Sequence, residues 1–226
     1  MRLPIAQIDA FASAPFEGNP AAVIPLADWL DDATLLAIAA ENNLSETAFI
    51  VASDDAEVDF DLRWFTPTSE VVLCGHATLA SAHVLFQHRD YGEGLVRFQT
   101  KSGELKVERD GKRLVLDFPS LPADQVSRAG ELGAALGAEP EQILKGRDYV
   151  AIFRSQREVA AIKPDMKQIA ALDVQGVVVT ARGDDCDFVS RYFAPAAGIP
   201  EDPVTGSTHC TLIPYWSQRL GKKELF

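Results

Sequence analysis

Residues 63–82 read Arg63-Trp64-Phe65-Thr66-Pro67-Thr68-Ser69-Glu70-Val71-Val72-Leu73-Cys74-Gly75-His76-Ala77-Thr78-Leu79-Ala80-Ser81-Ala82. The aromatic and apolar opening predicts a strand edge over Phe60–Thr66. Pro67–Glu70 turns the chain, and Val71–Leu73 leads into Cys74-Gly75-His76. Ala77–Gln87 then predicts a helix whose small residues suit close packing inside a surrounding sheet. The start of such a helix leaves backbone N–H groups unpaired and carries partial positive charge. An anion can settle there. Gly75 permits close backbone approach to a ligand, and His76 and Cys74 are the reactive side chains at the same point.

The pattern recurs. Arg191-Tyr-Phe-Ala-Pro-Ala echoes Arg63-Trp-Phe-Thr-Pro-Thr, and Gly206-Ser-Thr-His-Cys-Thr-Leu echoes Gly75-His-Ala-Thr-Leu. Arginine and glycine are 12 positions apart in the first copy and 15 in the second. Two related halves, each offering a helix N-terminus to one shared cleft, would produce this; chance likeness of two short stretches is the alternative.

The chain of 226 residues is long enough for one large domain or two small ones, and its 47% apolar content supports real cores. A net charge of −12 disfavours a nonspecific nucleic-acid surface or an anionic membrane surface. The aromatic residues form no stacking platform for bases. No run of apolar residues is long enough for a membrane span, and the first residues turn acidic too soon for a signal peptide. Cys74, Cys186 and Cys210 form no CxxC pair, so no disulfide framework is expected and a reducing cytoplasm is the simplest location.

Along the first half, strands are predicted at Leu3–Phe11, Ala21–Pro25, Thr47–Ala52 and Val58–Thr66, with a helix from Asp31 or Asp32 to about Asn42. Leu95–Thr100, Glu104–Arg109 and Arg113–Phe118 predict three antiparallel strands, the last two joined by the Asp110-Gly111 hairpin signal. Pro119–Pro122 is the best candidate boundary, giving domains 1–119 and 120–226. In the second half, helices are predicted at Asp124–Leu136, around Pro140–Leu144, from Pro164-Asp165 to Ala171, and over Thr208–Leu220 with Pro214 near its start or kinking it. Strands are predicted at Tyr149–Arg154, Val177–Ala181 and Phe188–Phe193, with Glu158–Ile162 as strand or turn, Ala194–Ser207 as a long loop and Gly221–Phe226 as the start of another strand.

Few residues carry chemistry by pattern alone. Glu46 follows a helix and precedes an apolar strand, where it could hang over a cleft and exchange a proton, or be a surface residue or cap partner. His76 is a packing histidine or a donor to a substrate oxygen. Asp202-Pro203 is a loop opener or a binding group, and Ser207 an N-cap or a ligand contact. Gly18-Asn19-Pro20 reads as a turn. No metal site is expected, because His76, His83, His88 and His209 lack paired spacing with carboxylates. No dinucleotide or phosphate fingerprint is present.

Four separated stretches, in order, resemble the phenazine-biosynthesis F-like family within the diaminopimelate-epimerase-like superfamily. They are Asp9-Ala-Phe through Gly18-Asn-Pro-Ala-Ala-Val23, Asn43-Leu-Ser-Glu-Thr-Ala-Phe-Ile50, Arg63-Trp-Phe-Thr-Pro through Gly75-His-Ala-Thr-Leu-Ala80, and Arg191-Tyr-Phe-Ala-Pro with Glu201-Asp-Pro-Val-Thr-Gly-Ser-Thr-His209. The resemblance covers nearly the whole chain apart from about residues 120–185. It implies an α/β fold of two similar domains, each a curved, mainly antiparallel sheet around a central helix, with a ligand cleft between them, no cofactor and often a homodimer. It also implies a Gln-x-x-Arg-Gly-Gly-like loop and further strands past the second central helix. The second domain is therefore expected to be incomplete, with the sheet faces near Val177–Ala181 and Phe188–Phe193 short of neighbours or finding them in a partner chain.

By the same resemblance Glu46 matches a proton-shuttling glutamate, and His76, Asp202 and Ser207 match active-site positions. Gly18, Asn19, Gly75 and Gly206 are expected to lie beside the substrate. The implied function is a cofactor-independent isomerase that moves a proton within a small carboxylate-bearing, cyclic or acyclic amino-acid-like substrate. One alternative is a small-molecule binding protein on the same scaffold. The other is a cofactor-free amino-acid racemase or epimerase. Racemases of the superfamily use two opposed thiols; Cys74 stands where the first would be, but Asp202 takes the place of the second, which favours a one-base carboxylate mechanism.

Overall fold

The computed structural model describes residues 2–14, 16–88, 94–127 and 131–226. The chain divides into two units, Met1–Phe118 and Pro119–Phe226.

In the first unit β1 (Ala6–Ala10) pairs antiparallel with β2 (Asn19–Pro25). The crossover helix α1 (Asp32–Asn42) then delivers β3 (Glu46–Ala52) parallel to β2. Asp31 caps α1 by accepting from the Thr34 amide at 3.0 Å, and Asn43 ends it in the left-handed region at φ 49°. Leu35 and Ala39 bury that helix against Ile24, Phe49 and Phe65. β4 (Phe60–Phe65) runs antiparallel to β3, the short β5 (Glu70–Val71) folds back on β4, and α2 (Gly75–His88) crosses to β6 (Leu95–Thr100), parallel to β4. β7 (Gly103–Asp110) and β8 (Arg113–Asp117) complete an eight-stranded sheet. α2 packs against β1, β2 and β3 and also against β7 and β8, so the sheet curls around it. A helix in that position is buried all round. Its alanines at 77, 80 and 82 allow the strands close, and Thr78 and Ser81 satisfy their hydroxyls on the carbonyls of Cys74 and Ala77.

The second unit holds β9 (Asp124–Val126), α3 (Leu132–Leu136), β10 (Gln142–Lys145), β11 (Tyr149–Ile152), α4 (Gln156–Ala161), α5 (Met166–Ala170), β12 (Val177–Arg182), β13 (Phe188–Ala194), β14 (Ile199–Asp202) and α6 (His209–Leu220). The sheet order is β14-β13-β12-β11-β10-β9, with β11 and β12 parallel and the other pairs antiparallel. Side chains alternate across it. Val150, Ile152 and Val178 meet Leu212 and Trp216 of α6, whereas Ala151, Val177, Val179 and Phe193 meet α3, α4 and α5.

Pro214 sits inside α6 and has no N–H to offer the Cys210 carbonyl. The Leu121 amide supplies the missing donor at 2.9 Å, and the Thr211 hydroxyl returns a bond to the Leu121 carbonyl at 2.7 Å. The proline thus creates the acceptor that ties the segment after Phe118 to the helix.

Several sequence expectations are corrected. Residues 124–126 are a strand, not the start of a helix over 124–136; Val126 finds a ladder partner in Ile143, and pairing of this kind overrides local propensity. Residues 128–130 of that expected helix lie outside the described residues, as does the side chain of His88. In place of the helical turn expected at 140–144, residues 142–144 belong to strand β10, held between β9 and β11. Residues 158–162 belong largely to α4, whose cap Ser155 accepts from the Glu158 amide at 3.2 Å, a Ser-x-x-Glu start signal present in the sequence. The expected loop 194–207 contains β14, and Gly221–Phe226 forms no strand. The faces of Val177–Ala181 have neighbours on both sides, since the helices of the second unit cover them. Among the described residues no helix is long and apolar enough to cross a membrane.

Candidate functional site

In the first unit three adjacent features converge. α1 stops at Asn43, and the Asn42 side chain donates to Thr47 Oγ1 at 3.1 Å, which fixes where β3 begins. Glu46 is its first residue, in register with Ala21 of β2. Gly18 precedes β2 with φ +73°; a Cβ there would stand 2.1 Å from the Ala10 carbonyl oxygen, so only glycine lets the chain enter the strand. This sets Asn19 and Pro20 two residues and one residue before Ala21, beside Glu46's strand. His76, in the first turn of α2, enters against them.

The result is a buried cluster. His76 Nε2 lies 3.3 Å from Glu46 Oε2, with the two side chains 3% and 12% exposed. His76 Nδ1 lies 3.5 Å from Cys74 Sγ and 3.5 Å from Asn19 Nδ2. Burial pushes the His76 ring down to about 4, opposed in part by a hydrogen bond to the Pro20 carbonyl. At neutral pH the imidazole is therefore uncharged, and its contact with Glu46 is that of a polar ring with a carboxyl group rather than an ion pair. Glu46, Cys74 and His76 each offer a donor atom within 4.8 Å of the others, a metal-ligand set that linear spacing does not reveal. Nδ1 faces the thiol and Nε2 the carboxyl group, and the Nε2–Oε2 contact is a close approach without the alignment of a hydrogen bond.

The second unit repeats the framework around different chemistry. Arg63 on β4 forks onto Glu70 of β5 at 2.8 Å through both Nε and Nη2; Arg191 on β13 forks onto Glu201 of β14 at 2.7 and 2.9 Å. Each guanidinium also covers the aromatic ring two residues on, Phe65 at 5.1 Å and Phe193 at 4.9 Å. The echo in sequence is thus an echo in structure, a strand pair clamped ahead of a helix start. Asp202 ends β14 opposite Tyr192, is buried, and accepts from Thr205 Oγ1 at 2.5 Å. Gly206 and Ser207 form the turn into α6, whose cap residue is Thr208, not Ser207.

Sequence reasoning missed Arg147. It lies in the turn between β10 and β11, donates to Asp148 Oδ2 through Nε at 2.9 Å and Nη2 at 2.6 Å, and reaches Ser207 Oγ at 3.2 Å. The Tyr192 hydroxyl donates to the other Asp148 oxygen at 3.1 Å. Burial, then the neighbouring Asp148 charge, push the Tyr192 phenol far up, so it stays protonated. An Arg-Asp pair after a glycine in a short hairpin turn was the available signal.

Two curled mixed sheets, each with a helix start bearing polar groups, define an epimerase-like α/β protein. The chain belongs to the phenazine biosynthesis-like family, whose profile matches residues 8–225. An uncharacterized isomerase of Pseudomonas aeruginosa is 52% identical over 225 residues, an alignment covering 100% of this chain and 86% of the relative. The crystal structure of a PhzF-family phenazine biosynthesis protein from Enterococcus faecalis matches with a TM-score of 0.90 at 46% identity, over 100% of this chain and 86% of the other. A hydroxyproline epimerase from Agrobacterium vitis shares the fold, with a TM-score of 0.64 at 11% identity over 98% of this chain and 78% of its own.

Proposed function

We propose that this chain is a cofactor-independent isomerase that moves a proton between carbons of a small carboxylate-bearing, amino-acid-like substrate. The observation that carries the reading is the contact between the nearly buried Glu46 carboxyl group and the buried, uncharged His76 ring at the first turn of α2. A carboxyl group sheltered from water can take a proton from an activated carbon and return it at another within reach. His76, together with the first amides of α2, would steady the negative charge that develops on the substrate between the two transfers. Asn19, fixed by Gly18, orients the His76 ring. In the second unit, Asp202 is assigned to a substrate amine, and Ser207 with the amides of Gly206–Ser207 to a carboxylate. The isomerase name carried by the 52%-identical relative supports the reaction class.

The test is deuterium incorporation in heavy water, read by NMR on a panel of small cyclic and acyclic amino and hydroxy acids. Glu46→Gln keeps the shape and removes the base, and should slow exchange by roughly 10²–10⁴-fold. Unchanged exchange in Glu46→Gln would overturn the role of Glu46. Ligands that bind without any exchange would favour a binding protein on this scaffold.

A further inference from the structure

Arg147 is held more firmly than a surface arginine and uses only part of its hydrogen-bonding capacity. The three-residue turn Gly146–Asp148 joins β10 to β11 and is closed by the Gly146 amide on the Asp148 carbonyl at 3.0 Å. Asp148 is itself buried, and its two oxygens are taken by Arg147 and by the Tyr192 hydroxyl. The guanidinium plane is thereby fixed, with the side chain 28% exposed. Nε and one edge of Nη2 serve Asp148, and Nη2 also serves Ser207 Oγ. Among the described residues the two N–H groups of Nη1 have no partner. An oriented cation with spare donors therefore stands beside a hydroxyl at the turn into α6.

We infer that Arg147 and Ser207 together form a carboxylate-binding point in the second unit, with the Nη1 side of the guanidinium and the Ser207 hydroxyl as its donors. The inference deepens the proposed function and rests on its premise that the substrate carries a carboxylate. One feature argues against a purely structural ion pair: Asp148 is already satisfied by the two contacts from Arg147 and by Tyr192, so the reach to Ser207 is not needed to neutralise it. The amides of His209, Cys210 and Thr211 at the start of α6 already donate to the carbonyls of Gly206, Ser207 and Thr208, which leaves Arg147 and the Ser207 hydroxyl as the donors for an anion. The local charge selects the ligand. Asp148 and Asp202 place two negative charges around Tyr192 against the single positive charge of Arg147. A dianion such as phosphate meets the larger repulsion there, and a singly charged carboxylate presents two oxygens that match a planar donor edge.

The experiment uses the full chain labelled with nitrogen-15 and titrated with sodium acetate at constant ionic strength. The Arg147 Nε–H resonance, assigned by its loss in Arg147→Lys, should shift saturably with acetate and not with ethylammonium chloride. Acetate binding followed by calorimetry should weaken at least about tenfold in Arg147→Gln. It should also weaken in Arg147→Lys, which keeps the charge but loses the fork. An Nε–H resonance that stays still up to saturating acetate overturns the proposal, as does equal acetate affinity in wild type and Arg147→Gln. If Arg147→Gln does not fold, the wild-type resonance decides alone. The two readings fail separately. Acetate bound at Arg147 with no hydrogen exchange on any substrate sinks the isomerase reading and leaves this site standing. Hydrogen exchange that persists in Arg147→Gln with unchanged KM sinks the carboxylate point alone.

Discussion

His76 Nε2 and Glu46 Oε2 approach to 3.3 Å although one residue starts a central helix and the other starts a strand of the surrounding sheet. Neither element could place them alone. The parallel pairing of β2 with β3 puts Glu46 level with Ala21, and the entry of α2 beside Asn19 and Pro20 brings the imidazole to the same point. The ring is neutral there because burial opposes its charge, which makes it a hydrogen-bonding group at neutral pH.

That neutrality has a measurable sign. A histidine titrates near 6.5 when unfolded, and His76 titrates at about 4 when folded. Between these values the unfolded chain binds the extra proton and the folded chain does not. Stability from this group is complete above about pH 6.5 and is lost as pH falls towards 4, by roughly 3 kcal/mol in all. Glu46 and Cys74 are the titratable groups that face the ring. Urea unfolding at pH 7 and pH 4.5 should show a larger acid-dependent loss for wild type than for His76→Gln. Equal losses would mean that the ring charges freely in the folded state.

Cys74 should be dispensable for chemistry. It is buried, its Sγ touches the His76 ring at 3.5 Å, and no second thiol occupies the Asp202 position. Cys74→Ala is expected to keep hydrogen-exchange rates within about threefold, well short of the loss from removing an acid–base group, with a small drop in thermal stability from the lost packing. A collapse of exchange in that variant, with Glu46→Gln still active, would point to thiol-based racemisation.

Gly18→Ala tests whether the turn before β2 builds the site. The methyl group would meet the Ala10 carbonyl oxygen at 2.1 Å, in a backbone conformation with φ +73°. Relief requires moving the β1–β2 connection, and Asn19 with it. The expected cost is about 2 kcal/mol or more in chemical denaturation, with a shift of the His76 ring signals in NMR. An unperturbed His76 spectrum would show that Asn19 does not depend on this turn.

The bond from the Leu121 amide to the Cys210 carbonyl should matter only because Pro214 leaves that carbonyl without a helical donor. Leu121→Pro removes the amide hydrogen and should cost about 1–3 kcal/mol. In a Pro214→Ala background the helix can supply its own donor, so the same change should cost less. Additive losses in the double-mutant cycle would refute the link.

Much of this molecule is written locally. The Asp31 cap and the hairpin at Asp110-Gly111 depend on neighbouring residues alone, and the paired Arg-aromatic stretches were legible as a repeat because Arg63 and Arg191 each need a glutamate and a ring close by in sequence. Candidate site residues were legible through motif likeness, since Gly18-Asn19, Glu46 and Gly75-His76 keep the spacing that brings them to one point. The short strands β9 and β10 were not legible, because three- and four-residue segments carry too little periodicity and exist only where a ladder partner accepts them. Arg147 was not legible as a site residue either. Its neighbour in chain, Asp148, suggests an ordinary ion pair, and Ser207 reaches it only because β11, β12 and β13 stack side by side and α6 packs on their face. Sequence by itself determined which residues could cap, turn and titrate; tertiary structure decided the partners, since burial and long-range pairing set the charge of His76 and the orientation of Arg147.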